Sequence, residues 1–352
     1  MFDSPRRVPL HFHVSIQLMG EVMRVAVRIL ALVCVAICMA CSAPTETTGT
    51  AGQTKTVVRV GHFPNVTHAQ ALIAHALTRQ GQGWFESRLG PVEIQWHVYN
   101  AGPSAMEAFF AESLDLAYVG PNPVLNAHIK SKGEEVRIIA GSATGGSALV
   151  VHGNGSIKTP QDFRGRRVGT PQLGNTQDVS CRAWLVAQGY QVTQLGGDVT
   201  VLPTSNPDQL SLFKTRDLDA VWTVEPWVSL LEMEAGGVVY LEEPDALTTV
   251  LAARTGFLDT HRELAGKFAA AHAELTRWVL SNPEEARRLV AAELKEETSR
   301  AISPDRLERS WRRLRFTSEI SLDAIETFVA AARSAGFLSE QPDLSRLVEP
   351  PR

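Results

Sequence analysis

Four short segments carry residues suited to holding a small charged group through the main chain. They are Phe63-Pro64-Asn65-Val66-Thr67-His68, Val119-Gly120-Pro121-Asn122-Pro123, Gly141-Ser142-Ala143-Thr144-Gly145-Gly146-Ser147 and Thr170-Pro171-Gln172-Leu173-Gly174-Asn175-Thr176-Gln177-Asp178. Each follows an apolar run with strand character and reads as a turn that opens a helix. The first N–H groups of a helix lack partners and sit at the positive end of its dipole, so such turns attract anions. Small residues let a ligand approach the backbone, and hydroxyl and amide side chains add neutral donors. Gly-Pro and Asn-Pro also make plain turns, and Thr176 also suits a helix cap. It is the four segments together that point to a ligand site. None of them contains arginine. A bidentate guanidinium clamp is therefore missing from them, and neutral donors with helix dipoles would bind instead. An uncharged or cationic ligand stays open on the same ground.

Other polar residues carry two readings each. Glu225 ends an apolar run before Pro226-Trp227. Its carboxylate would accept hydrogen bonds from a ligand or an opposing lobe, or it would meet solvent. Trp222 and Trp227 flank it and suit a core better than a pocket wall. His68 would donate to an anion, or stand in water at a helix start. Asp217 and Asp219 read as a solvated loop. Arg306, Arg309, Arg312, Arg313 and Arg315, with Glu308 interleaved, read as one solvated helix face, with a protein-contact surface as the sharper alternative.

The elements that must position these residues alternate. Strand character recurs at Thr56–Phe63, Val92–Val98, Leu114–Val119 and Val136–Ala140, with helical spacing at Ala69–Leu77, Pro103–Ala111 and Val124–Lys130. The pattern restarts after Gly145-Gly146, with strands at Ala148–His152, Arg166–Gly169, Val199–Leu202 and Ala220–Thr223 and helices at Thr176–Gln188 and Pro207–Phe213. Beyond Thr249–Arg254 the chain turns helical. This predicts an α/β fold with largely parallel strands. It also predicts two lobes, one from residues 56–144 plus 247–352 and the other from 145–246. Two crossings between them would form a hinge.

The chain has 352 residues, a formal charge of −4, 44% hydrophobic and 20% charged residues. That suits about two globular domains and lacks the basic surplus of a nucleic-acid binder. Arg24 and Arg28 precede the apolar run Ile29–Ala40, and Cys41 follows. A basic patch, a short apolar core and a small residue mark residues 1–40 as a secretory signal. The core is too short for a comfortable bilayer span. Met23 opens a compact signal by itself, so residues 1–22 read as lying upstream of the true start. Cys38-Met39-Ala40-Cys41 resembles a bacterial lipobox, in which the cysteine after the cut is lipidated, although Cys38 stands where leucine is usual. An ordinary signal peptide cut nearby is the alternative. Residues 41–55 then form a tether. Cys34 and Cys38 leave with the signal, Cys41 would carry lipid, and Cys181 remains as a small buried hydrophobe. No internal disulfide can form, and the common zinc arrangements, which need paired Cys or Cys/His spacings, are removed as well. No metal and no cofactor is expected.

The turns taken together resemble a known family. Gly61-His62-Phe63-Pro64-Asn65 with Thr67-His68, Tyr118-Val119-Gly120-Pro121, Thr170 through Asp178, Asn206-Pro207-Asp208-Gln209 and Glu225-Pro226-Trp227 look like the substrate-binding lipoproteins of bacterial ABC importers. The group is that of the aliphatic-sulfonate, taurine and nitrate binders, and the resemblance runs from about Val57 to Trp278. It implies the type II periplasmic-binding-protein fold: two lobes, a hinge and a C-terminal helical part. It implies a non-enzymatic protein outside the cytoplasm, periplasmic or lipid-anchored at the cell surface. Its partners would be a small anion and a membrane permease, with no nucleic acid. Carried over residue by residue, the family's pocket-lining turns fall on His68, Asn122, Ser142, Thr144, Gly174, Asn175, Thr176 and Glu225. The alternative is a pyrimidine-precursor binder or a synthase-like enzyme on the same fold. Such synthases carry a cysteine-rich iron site, for which the mature chain offers only Cys181 beyond Cys41.

Overall fold

Valine-rich β1 (Thr56–His62) and β2 (Val92–Val98) run parallel, joined through α1 (Ala69–Arg79) and the single turn α2 (Glu86–Leu89). A further helix, α3 (Gly102–Phe110), leads to β3 (Leu116–Val119), which pairs parallel with the other side of β1. The structure, a computed structural model, describes residues 55–193, 196–339 and 341–349. The signal region, Met23, Cys41 and residues 42–54 of the tether lie outside the described residues.

After α4 (Pro121–Lys130), β4 (Val136–Gly145) runs through Gly146 into β5 (Ser147–His152), and there the chain leaves one sheet for another. The second sheet is completed by β6 (Arg167–Thr170), β7 (Thr200–Pro203), β8 (Ala220–Val224) and β9 (Gly237–Glu243). Its helices are α5 (Thr176–Ala187), α6 (Asn206–Lys214) and α7 (Trp227–Ala235). The chain returns to the first sheet as β10 (Leu247–Arg254). It then continues through α8 (Thr255–Thr260), α9 (Arg262–Ser281), α10 (Pro283–Thr298), α11 (Pro304–Arg312), β11 (Leu314–Phe316) and α12 (Leu322–Ser334). The strand orders are β11-β4-β10-β3-β1-β2 and β7-β6-β8-β5-β9. Both sheets belong to one compact unit, Thr54–Arg352.

The sheets are mixed, not largely parallel as the sequence suggested. β10 is antiparallel to β3 and β4, β11 to β4, and β5 to β8 and β9. Helical crossovers give parallel neighbours, whereas a strand that leaves a sheet and one that returns run in opposite senses. The two crossings lie side by side: Thr144 pairs with Leu247, and Ser147 with Glu243.

A second departure concerns Gly141–Ser147. Residues 141–145 continue β4 and Ser147 opens β5, so no helix follows. β4 is held by β10 on one side and β11 on the other, which overrides the loop-like composition.

The first sheet is covered on both faces. Leu72, Ile73, Phe268, Leu275 and Leu289 pack on one, and Met106, Phe109, Leu125, Ile325 and Val329 on the other. Sheets covered this way read as near-continuous apolar runs. Phe163, Leu185, Cys181 and Trp222 fill one face of the second sheet, and Leu210, Phe213 and Leu231 the other. The arginine run is a solvated face only in part: Arg309, Arg312 and Arg315 are exposed, with Arg312 paired to Glu308, whereas Arg306 and Arg313 are half-buried. Arg306 pairs with Glu234, Arg309 with Glu232 at 2.9 Å, and Arg313 with Glu225 at 2.9 Å and Glu232 at 3.0 Å. These pairs join α11 and the residue after it to α7 and the turn before it. Among the described residues, no helix is long and apolar enough to cross a membrane.

Candidate functional site

A cavity of about 30 Å³ lies where turns from both sheets meet. By the space one water needs, it holds about two or three water-sized groups. Its walls follow the carboxyl ends of strands, the usual ligand crevice of open α/β sheets. Phe63, Asn65 and His68 come after β1, Asn100 after β2 and Gly120 after β3. Pro171, Asn175, Thr176 and Gln177 come after β6, and Asn206 after β7. Thr248, on the returning strand β10, completes one side. None of these lining residues has a permanently charged side chain.

Helix starts converge here. Gly120 caps α4, Asn175 caps α5 and Asn206 begins α6. Each brings the positive end of a dipole, but Pro121 and Pro123 leave α4, and Pro207 leaves α6, with fewer free N–H groups than α5. Two side-chain atoms at the cavity are buried without a hydrogen-bond partner: His68 Nδ1 and Thr176 Oγ1. Burial, with His62 acting in the same direction, holds the His68 imidazole well below the ordinary histidine range. His68 is therefore a neutral ring at pH 7, packed against Phe63 with ring centroids 4.4 Å apart. A buried polar atom with no partner costs free energy unless something fills the role.

The β6–α5 turn is held from within. Asn175, not Thr176, is the helix cap: its Oδ1 accepts the Asp178 N–H at 2.8 Å. The Asp178 carboxylate accepts the Gly174 N–H at 2.9 Å, the Thr170 hydroxyl at 2.8 Å and Arg182 Nε at 3.1 Å. Arg182, a helical turn further on, is thus the internal counter-ion of this loop. Sequence reasoning missed it.

Of the residues named from sequence, His68, Asn175 and Thr176 line the cavity. Asn122 lies beside them, and its Nδ2 donates to the Gly174 carbonyl at 2.7 Å, from the first sheet's turn to the second's. Gly174 itself faces the opposite way, with Phe337 and Asn126 nearest to where a Cβ would stand. Its φ of +73° is one that favours glycine at this turn. Ser142 is buried in β4, and its hydroxyl donates to Gln70 Oε1 at 3.1 Å. Thr144 pairs with Leu247 and Arg315 across β4. Glu225 meets neither cavity nor solvent. It is fully buried and accepts from Ser229 N–H (3.1 Å), Ser229 Oγ (2.9 Å), Ser310 Oγ (2.8 Å) and Arg313 (2.9 Å). Burial raises its pKa, with Arg313 opposing the shift.

Asn100 and Thr248 were not foreseen. The strand-end rule that picked the other turns would have picked Asn100, since it follows β2. Thr248 follows the crossing from the second sheet, which carries no local signal. Trp222 is core, and Trp227 Nε1 donates to Asn65 Oδ1 at 3.0 Å. Cys181 is buried, and burial pushes its thiol pKa well above the ordinary value, which suits packing and not nucleophilic attack.

Residues 51–294 match the model of the NMT1-like family. The chain is similar to a Brucella abortus (strain 2308) protein named as a binding protein, 27% identical over 215 residues. That match covers 61% of this chain and 59% of the relative, less than two thirds of its length. It is also similar to a Bacillus subtilis (strain 168) protein named as an aliphatic sulfonates-binding protein, 23% identical over 225 residues, covering 62% of this chain and 65% of that one. Among solved structures, the alkanesulfonate-binding protein of Xanthomonas axonopodis pv. citri bound to MOPS superposes with a TM-score of 0.67. Its identity is 17%, with 84% of this chain and 98% of that chain covered. At that identity the likeness speaks for the fold, which is the periplasmic-binding-protein fold. With well over half of its length, residues 51–294, fitting one family model, the chain belongs to the NMT1-like family.

Proposed function

We propose that this protein is the extracytoplasmic solute-binding component of an ABC importer, which captures a small anion with its charged head in the cavity and delivers it to a membrane permease. An aliphatic sulfonate, taurine or nitrate is the class of ligand we infer. One observation carries the reading: two unpartnered buried polar atoms, His68 Nδ1 and Thr176 Oγ1, belong to residues that line a small cavity among several helix starts and no permanent charge. Neutral donors and helix dipoles suit a compact oxyanion. The family membership and the named relatives support the same direction. The two lobes, residues 56–144 plus 247–352 and 145–246, would close about the paired crossings, and Cys41 would hold the protein at the membrane.

A thermal-shift screen of the mature protein tests this. The panel is aliphatic sulfonates, taurine, nitrate, bicarbonate, phosphonates and pyrimidines. A ligand at 100 times its dissociation constant stabilises the fold by about 2.7 kcal/mol. Stabilisation by at least one small anion is the expected result. A panel in which only pyrimidines act would favour the pyrimidine-precursor reading, and a panel with no response would refute both.

A further inference from the structure

A second cluster of chemistry-bearing side chains lies outside the cavity walls. His62 ends β1, His75 lies on α1, and Glu297 lies in the last turn of α10. Their side chains are 0%, 10% and 1% exposed. Three of their atoms form a nearly equilateral triangle. His62 Nε2 is 3.2 Å from His75 Nδ1 and 3.0 Å from Glu297 Oε1, and His75 Nδ1 is 3.1 Å from the same oxygen.

Hydrogen bonds account for part of this arrangement. Both ring N–H groups could donate to Glu297 Oε1. That leaves Glu297 Oε2 buried without a partner. A buried unpaired carboxylate oxygen is expensive. A cation at the triangle would use it.

We propose that His62, His75 and Glu297 form a binding site for a divalent first-row transition ion, with zinc as the fitting member. Two imidazoles and a carboxylate are a zinc donor set, with ligand distances of about 2.0–2.2 Å. The centre of a triangle with these sides lies roughly 1.8 Å from each corner. An ion at zinc distances would then stand roughly 1 Å out of the plane. Glu297 Oε2 completes the shell if the carboxylate turns bidentate. Glu293, one helical turn earlier, stands 2.9 Å from His75 Nδ1 and accepts from Arg79 Nε at 2.8 Å, so an ion on Nδ1 would replace the proton shared with Glu293, and Arg79 would keep that carboxylate paired. His62 Nδ1 has no partner with or without the ion. Trp96 closes the site, stacked on His75 at 5.3 Å and edge-on to His62 at 5.5 Å. The ion would join β1, α1 and α10 one residue before Phe63, which lines the cavity. Reading zinc sites from cysteine spacing misses a donor set scattered over positions 62, 75 and 297.

The test titrates zinc chloride into the mature protein after dialysis against a chelator. Calorimetry is expected to give one zinc per chain, and zinc-edge X-ray absorption to count two imidazole ligands. Glu297→Gln and His75→Gln are each expected to weaken zinc binding about 100-fold or more. Their metal-free circular dichroism is expected to match the parent. Absence of stoichiometric binding by the parent overturns the proposal. So does bound zinc with fewer than two imidazoles, or zinc retained by both variants. Should the variants fail to fold, the ligand count on the parent decides alone.

Discussion

Thr176→Val separates a binding hydroxyl from a structural one by the sign of two effects. Thr176 is the first residue of α5 and is 4% exposed. Its Oγ1 has no partner within the protein, and the capping role belongs to Asn175. An unpaired buried hydroxyl costs about 1–3 kcal/mol of desolvation, so valine, of similar shape, should leave the ligand-free protein equally stable or up to about 2 kcal/mol more stable. The hydroxyl's hydrogen bond to a charged ligand is worth about 1.5–3 kcal/mol, so the same substitution should weaken binding about 10- to 150-fold. Urea unfolding without ligand gives the first quantity. Calorimetry with the compound of largest thermal shift gives the second. A structural hydroxyl would lower stability and leave affinity alone. That pair of results would refute the reasoning, and it would leave His68 as the cavity's remaining unpaired donor.

Arg313→Ala should cost about 3–5 kcal/mol, because it leaves the fully buried Glu225 without its cation. Adding Glu225→Gln should restore part of this, and no restoration in urea unfolding would move the effect to Glu232. His272 is fully buried, with its pKa lowered by burial to about 4. Its folded pKa lies below the unfolded one, so stability is present above about pH 6.5 and is lost as pH falls. The loss is about 2 kcal/mol between pH 7 and pH 5. His272→Gln should remove that component, so equal pH slopes for variant and parent would count against it. Gly174→Val should lower stability by about 1–2 kcal/mol or more through its left-handed φ. The nearest atoms to the new Cβ, Phe337 Cε1 at 3.7 Å and Asn126 Nδ2 at 4.0 Å, leave it room. A variant with parental melting temperature and lost binding would return Gly174 to the ligand.

Elements with local signals were legible. The valine alternation of β1, the helical spacing of α1 and the Asn175-Thr176 helix start all state their structure within a few residues. That is why His68, Asn175 and Thr176 could be placed at strand ends before any fold was known. What failed was set by distant partners. Gly141 reads as a loop residue, yet it lies in a strand, where a Cβ would run into the Glu319 carbonyl. Its glycine serves close packing of two chain segments rather than a ligand. Glu225 looked like a cleft carboxylate because its counter-ion, Arg313, lies 88 positions later. Arg306 and Arg313 looked solvated because their acidic partners, Glu234 for one and Glu225 and Glu232 for the other, lie more than 70 positions earlier.

The placement of charge gives this site its character. Asp178 and Glu225 lie within two residues of the lining residues Thr176 and Val224, yet neither lines the cavity. Asp178 binds Arg182, Thr170 and the Gly174 N–H, and Glu225 binds Arg313, Ser229 and Ser310. Their charge goes into fixing the turns, which orders Asn175, Thr176 and Gln177 before a ligand arrives and lowers the cost of binding. The field in the cavity is then that of helix starts and neutral donors. Contacts across the cleft form without a ligand: Asn122 to the Gly174 carbonyl, Trp227 to Asn65, and the Val66 N–H to the Glu225 carbonyl at 3.1 Å. If the proposed lobes open and close, these contacts would favour the closed form whatever the ligand. A ligand shifts the balance between open and closed only by what it gains in the closed form alone. On the proposed function that gain would include the pairing of His68 Nδ1 and Thr176 Oγ1. Selectivity would then rest on how many acceptor atoms a compact guest presents and where they point, more than on its net charge.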